Sequence, residues 1–114
     1  MEFTELKEFT KKLKRLLKKY RSINHDLDIL KSYLQKYPRG YEPIVFQINN
    51  LGIQTEIFKV THFRCAVLKK GSRSGIRIVY AYFPNESRIE FVEMHYKEHD
   101  DTDCDKIRVL KYYS

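Results

Sequence analysis

The sequence predicts one α+β domain in which two N-terminal helices form a hairpin and pack on a mainly antiparallel sheet. Three observations lead there. Apolar residues recur at three- and four-residue steps as far as Leu34, the repeat shortens to two from about Thr55, and turn residues punctuate the second half at hairpin spacing. A chain of 114 residues suits one domain with a modest core and has no room for a second folding unit.

The elements follow in order. A short strand at Glu2 to Glu5 opens the chain. Phe3, Leu6, Phe9, Leu13, Leu16, Leu17 and Tyr20 then mark the stripe of a helix from about Leu6 to Tyr20, with Lys11, Lys12, Lys14, Lys18 and Lys19 mostly outside it. Ser22 can accept from the exposed amides of a second helix, whose apolar positions Ile23, Leu27, Leu30 and Leu34 repeat until Pro38 and Gly40 stop it. The stretch PRGYEPIVFQINNLG reads as loop with one helical turn, ending where Asn50 and Gly52 permit positive φ. Thr55 to Val67, Gly75 to Phe83 and Arg88 to Tyr96 are strands rich in Ile, Val, Phe and Tyr. Pro84 to Ser87 makes a tight hairpin between the last two, and KKGSRSG makes a longer cationic loop between the first two. Asp100, Asp101 and Thr102 cap a short final helix that carries Ile107, Leu110 and Lys111 to Tyr113.

Net charge is +7, with a sequence pI near 9.4. The excess is uneven: residues 1 to 40 carry +6 and 55 to 80 carry +5, whereas 81 to 114 carry −3. Such a balance concentrates nucleic acid or anionic lipid by Coulomb attraction, and it equally serves solubility. No apolar run approaches the roughly 18 residues of a spanning helix, and the acidic start MEFTEL lacks the regions of a signal peptide. These features predict a cytoplasmic protein with no membrane association. Cys65 and Cys104 have no CxxC spacing and are read as free thiols. The run HDDTDCD and the four histidines lack zinc-knuckle spacing, so neither metal nor cofactor is expected.

Between Ile57 and Lys97 a dense row of cations alternates with strand-like runs: Lys59, Arg64, Lys69, Lys70, Arg73 and Arg77. A sheet built this way expects a polyanion. The order of a helical hairpin, then FKV at Phe58 to Val60, then GIRIVYAY at Gly75 to Tyr82, then IEFVEMHYK ending at Tyr96 and Lys97, resembles the RelE/ParE superfamily of type II toxin–antitoxin toxins. The resemblance covers nearly all of the chain and implies a RelE-like fold with a sheet of about four strands. It also implies a cognate antitoxin as partner, with operator DNA met only through that antitoxin. The superfamily includes mRNA endonucleases that act at the ribosome, ribosome-independent ones and gyrase poisons.

Cleaving RNA by attack of a 2′-hydroxyl on its own phosphate needs a base for that hydroxyl, cations for the phosphorane and an acid for the departing 5′-oxygen. Arg77 matches the superfamily's strand arginine, and its planar fork fits two phosphate oxygens. Otherwise it is a strand arginine facing solvent. Lys59 matches a lysine on the preceding strand that acts as base or electrostatic anchor, and alternation places it on one face with Ile57 and Thr61. Lys97 stands where nucleolytic relatives often carry arginine, so the charge is kept and the bidentate geometry lost. His95 and His99 flank it and titrate near neutral pH, although a histidine at a strand end is commonly just a polar edge residue. Arg64, Lys69, Lys70, Arg73 and Tyr96 complete an RNA-binding surface. Tyr112 and Tyr113 resemble terminal aromatics that stack on a base, and they serve equally to close the edge of the last helix. The lysine-rich first helix is either a solvated face or a positive surface that grips ribosomal or messenger RNA or an acidic partner.

The resemblance therefore implies an mRNA endoribonuclease that cuts at the ribosome without metal and blocks translation. Two other readings keep the same fold: a ParE-like inhibitor of DNA gyrase, and an inactive paralogue that binds only its antitoxin and operator DNA.

Overall fold

Both N-terminal helical stripes are buried against one face of a sheet. The computed structural model describes residues 1–61, 63, 75–96 and 104–114. Among these the elements run β1 (Glu2–Glu5), α1 (Lys7–Leu17), α2 (Ile23–Lys36), β2 (Val45–Ile48), β3 (Glu56–Val60), β4 (Ile76–Phe83), a 3₁₀ turn (Pro84–Glu86), β5 (Arg88–Tyr96) and α3 (Lys106–Tyr113). The sheet has five strands in the order β1-β5-β4-β3-β2. β1 lies parallel to β5, and every other neighbouring pair is antiparallel. The fold is thus α+β with a mainly antiparallel sheet. No described helix is long and apolar enough to cross a membrane.

The face under α1 and α2 is apolar throughout. Phe9, Leu13 and Leu16 of α1 and Ile23, Leu27, Leu30 and Leu34 of α2 pack on Val45, Phe58, Val60, Ile76, Ile78, Tyr80, Ile89, Phe91 and Met94. Phe9 stacks on Phe91 at 5.3 Å between ring centroids, and Phe58 stacks on Tyr80 at 5.2 Å. Such pairs add about 0.5 to 1.5 kcal/mol each beyond the area they bury. The Tyr80 hydroxyl donates to the Pro38 carbonyl at 2.8 Å, which satisfies the one polar atom of a fully buried ring.

The opposite face carries a second, smaller cluster of Leu6, Ile57, Val79, Ala81, Val92, Cys104 and Val109. Helix α3 supplies Val109 to it, after starting from Asp105, whose side chain accepts the Arg108 amide at 3.1 Å. Between the two faces, the β4–β5 ladder contains an irregularity. Tyr80 pairs with Phe91, yet its neighbour Val79 pairs with Glu93, so Val92 is an extra residue in β5. The result is a β-bulge that shifts the alternation of everything beyond it. Ile89 and Phe91 face the helical hairpin, and so does Met94, an odd number of residues later. Glu93 and His95 are thereby turned to the α3 face.

Several expectations are corrected. The segment expected as loop with a helical turn contains β2, so the sheet has five strands where about four were expected. VFQI is short and flanked by Pro43 and Gly52, and pairing with β3 is what makes it a strand. The first helix ends at Leu17, short of Tyr20; β3 spans Glu56–Val60, and residues 64–67 of the expected strand lie outside the described residues. Ser22 occupies the N-cap of α2 without a side-chain bond to the helix amides; its hydroxyl donates to Asp26 at 2.9 Å. On α3 the buried residue is Val109, while Ile107 and Leu110 are exposed. The expected caps Asp100, Asp101 and Thr102, and Cys65, lie outside the described residues. Cys104 is buried.

Gly40 adopts φ +60° before β2, and a Cβ placed there would sit inside the Val45 side chain. Gly52 has φ +72° with open space around it. Gly40→Ala is therefore expected to cost several kcal/mol through clash plus backbone strain, and Gly52→Ala only about 1 to 2 kcal/mol through strain alone. Urea unfolding of the two variants measures the difference, and equal losses would refute the clash.

Burial holds the Tyr80 phenol far above its ordinary range. The unfolded phenol ionises near pH 10 while the folded one keeps its proton, so the native state binds more protons there and stability falls as pH rises through that value. The urea midpoint should drop between about pH 9 and 11, and Tyr80→Phe should flatten that drop.

Candidate functional site

Strand register alone brings three of the expected site residues together. Arg77 of β4 pairs directly with His95 of β5, and Lys59 of β3 pairs with Val79, two residues along β4 from Arg77. Arg77 and Lys59 are thus diagonal neighbours on the α3 face, at a spacing of roughly 7 to 8 Å that long side chains bridge readily. The Arg77 guanidinium is half-buried and donates through Nη1 to the Thr61 carbonyl at 2.9 Å. That bond lays it toward the end of β3 and still leaves other donors of its fork for an anion. Lys59 is half-buried as well.

His95 is 9 % exposed, and neither ring nitrogen has a hydrogen-bond partner among the described residues. The Glu93 carboxylate stands 3.6 Å from its Nδ1, within Coulombic reach but beyond a hydrogen bond. Glu93 was not among the expected site residues. It is buried, and both of its oxygens accept the Asp105 amide, at 3.0 and 3.2 Å. A carboxylate so placed fixes the start of α3 and presents its charge to the edge of the neighbouring imidazole.

A cleft of about 330 Å³ opens beside this group, between α1, the second half of β5 and the first turn of α3. Arg108 lies in it, 3.8 Å from Glu8, 4.0 Å from Glu93 and 3.9 Å from Asp105. Burial raises the Glu8 pKa, but its backbone amide, the Tyr112 hydroxyl and Arg108 together hold the carboxyl below the ordinary range.

The terminal tyrosines are both engaged with carboxylates. Tyr113 donates to Glu90 at 2.7 Å and packs near Phe83, and Tyr112 donates to Glu8. Glu90 is five residues before His95 on the same strand, which sets the Tyr113 hydroxyl roughly 15 Å from the imidazole. Burial and the bond to Glu90 push the Tyr113 phenol well above its ordinary range. Both rings are therefore tied into the fold. Arg64, Lys69, Lys70, Arg73, Lys97 and His99 lie outside the described residues, as do His62 and the side chain of Tyr96. Among the described residues no group of three His, Cys, Asp or Glu could hold a metal ion.

No protein-family model matches the sequence, and no curated protein matches it. Among solved structures, a chain of the archaeal RelE–RelB complex from Pyrococcus horikoshii is similar, with a TM-score of 0.58 and 14 % identity over 84 % of this chain and 93 % of that one. This chain has a RelE-like fold. Within that RelE-like fold the polar group sits at one end of the α3 face, and the apolar cluster under α3 occupies the rest.

Glu93→Ala removes the acceptor of the Asp105 amide and a partner of Arg108, and it is expected to cost about 1 to 3 kcal/mol. Glu93→Gln keeps an acceptor and should recover part of that loss. Denaturant unfolding with amide exchange along α3 checks both, and α3 amides unchanged in Glu93→Ala would refute the anchoring role.

Proposed function

We propose that this protein is the toxin of a toxin–antitoxin module and an mRNA endoribonuclease that cuts without metal, at the ribosome, and so blocks translation. The observation that carries the reading is the cross-strand pairing of Arg77 with His95, with Lys59 on the adjacent diagonal. A guanidinium, an ammonium and an imidazole on one face supply the cationic and acid–base groups that phosphodiester cleavage requires. The RelE-like fold and the RelE–RelB pairing of the similar structure support an antitoxin as partner.

In this scheme the 2′-hydroxyl gives its proton to solvent water while the Lys59 ammonium steadies the developing oxyanion, and that oxygen attacks the adjacent phosphorus. The O2′–P bond forms and the P–O5′ bond breaks, leaving a 2′,3′-cyclic phosphate and a 5′-hydroxyl. Arg77 binds the phosphorane oxygens through the donors not used on Thr61. His95 protonates the departing 5′-oxygen, and Lys97 or His99 orients the phosphate. The RNA strand is positioned further by Arg64, Lys69, Lys70, Arg73 and Tyr96.

Induced expression should arrest translation with cut transcripts, and purified protein with ribosomes should give cyclic-phosphate ends in the presence of EDTA. Arg77→Ala should lower cleavage by about 10²- to 10³-fold, the cost of losing one preorganised oxyanion donor, and His95→Asn should lower it while altering the pH profile. Full cleavage by a folded Arg77→Ala protein would remove the assignment, and a DNA-damage response in place of translational arrest would turn the reading to gyrase.

A further inference from the structure

The cleft between α1 and β5 contains three cations that the proposed chemistry does not use. Lys11, Lys12 and Arg15 line it from α1, and His95 lines it from β5. The three α1 cations fall at helix steps of one, three and four and share a stripe with Glu8, with Lys11 and Arg15 exposed and Lys12 half-buried beside the stripe of Phe9, Leu13 and Leu16. Acidic groups line the same cleft, but each is engaged. Glu8 accepts from Tyr112 and faces Arg108, Glu93 accepts the Asp105 amide, and Asp105 accepts the Arg108 amide. Lys11, Lys12 and Arg15 have no ion pair with any described residue.

The second observation is His95 itself. Burying an imidazole with both nitrogens unsatisfied costs free energy that a ligand group in the cleft would recover. Four cations stand against three carboxylates there, beside a buried imidazole with no hydrogen-bond partner among the described residues, and this balance favours an anion with several acceptor oxygens, such as a phosphate. Arg77 pairs with His95 across one strand spacing of about 5 Å, and His95 lines the cleft, so an extended anion held at Arg77 has the cleft next to it.

We propose that this cleft is a phosphate-binding subsite that holds the sugar–phosphate backbone of single-stranded RNA next to the scissile group, through Lys11, Lys12, Arg15 and the Nε2 side of His95. The inference rests on the nuclease reading above. It names the path that the RNA takes, from β4 across β5 and onto α1. Lys7, Lys14 and Lys18, on the solvent side of the same helix, take no part.

The test is binding of a labelled single-stranded RNA oligonucleotide with 2′-deoxy substitutions, which cannot be cut, to two variants of equal charge. Lys11→Gln, Lys12→Gln and Arg15→Gln together should weaken binding about tenfold or more at low salt, and should reduce the slope of log affinity against log salt by about 0.7 for each phosphate that is no longer neutralised. The matched control Lys7→Gln, Lys14→Gln and Lys18→Gln should change neither by more than about twofold. Oligonucleotide should also shift the His95 ring resonances. Equal losses in both variants, or unshifted His95 resonances, would overturn the subsite. So would displacement of the oligonucleotide by a free nucleoside monophosphate as well as by unlabelled RNA, since the cleft would then take a mononucleotide. Loss of acidic-protein binding with RNA binding intact would overturn it too. Cleavage distinguishes the two claims. Cleft-dependent binding without cleavage sinks the nuclease reading alone, and cleavage with binding unaffected by the cleft variant sinks the subsite alone.

Discussion

The arrangement of the site depends on the extra residue that Val92 inserts into β5. Without it, strict alternation from Ile89 and Phe91 would carry Glu93 and His95 onto the face under α1 and α2, among Phe9, Ile78 and Met94. A carboxylate and an imidazole there would be buried in an apolar core, at a cost of several kcal/mol unless they were neutral and paired. The bulge sets Val92 and Glu93 together against Val79, so the apolar residue joins Ala81 and Val109 while the polar pair meets Arg77. One added residue therefore resolves the conflict between a core that needs Phe91 and Met94 and a polar cluster that needs His95.

That device also marks where sequence reading stops. Helices α1 and α2 were legible because their stripes at Phe9, Leu13 and Leu16 and at Ile23, Leu27, Leu30 and Leu34 are regular and long. β4 and β5 were legible from β-branched and aromatic density, and Lys59 and Arg77 were put forward through the resemblance to the RelE/ParE superfamily. Glu93 could not. Its importance comes from the ladder irregularity and from a backbone amide twelve residues away, and neither leaves a trace in local periodicity. β2 was missed for a related reason, since four residues after a proline carry too little pattern to overrule turn signals, and the strand exists through its pairing with β3. Which side of α3 faces the sheet was left open, because apolar identity on a short helix does not decide it: Ile107 and Leu110 are exposed, and Val109 is buried.

The two faces of the sheet solve different problems. Under the helical hairpin, packing is continuous and the few polar atoms, such as the Tyr80 hydroxyl, are satisfied. The other face is divided. Helix α3, with eight residues, is about 12 Å long, whereas β5, with nine, extends roughly 30 Å. A helix of that length can bury only part of the face, and it buries the end with Ala81, Val92 and Phe83, to which Tyr113 is fastened through Glu90. The end with Lys59, Arg77 and His95 is thus free of any need to be apolar, and it is there that the charges collect.

Glu93 joins the two halves of that face. A buried carboxylate is tolerated only when its oxygens are satisfied, and its partners here are the Asp105 amide, Arg108 and the edge of the His95 ring. The first of these belongs to the start of α3 and the last to the polar cluster. Fraying of the first turn of α3 would strip Glu93 of its amide donor and leave the imidazole as the nearest group on the sheet able to donate to it, drawing the ring along β5 and away from Arg77. The order of a short helix and the placing of a histidine on the sheet are then set by the same pair of oxygens.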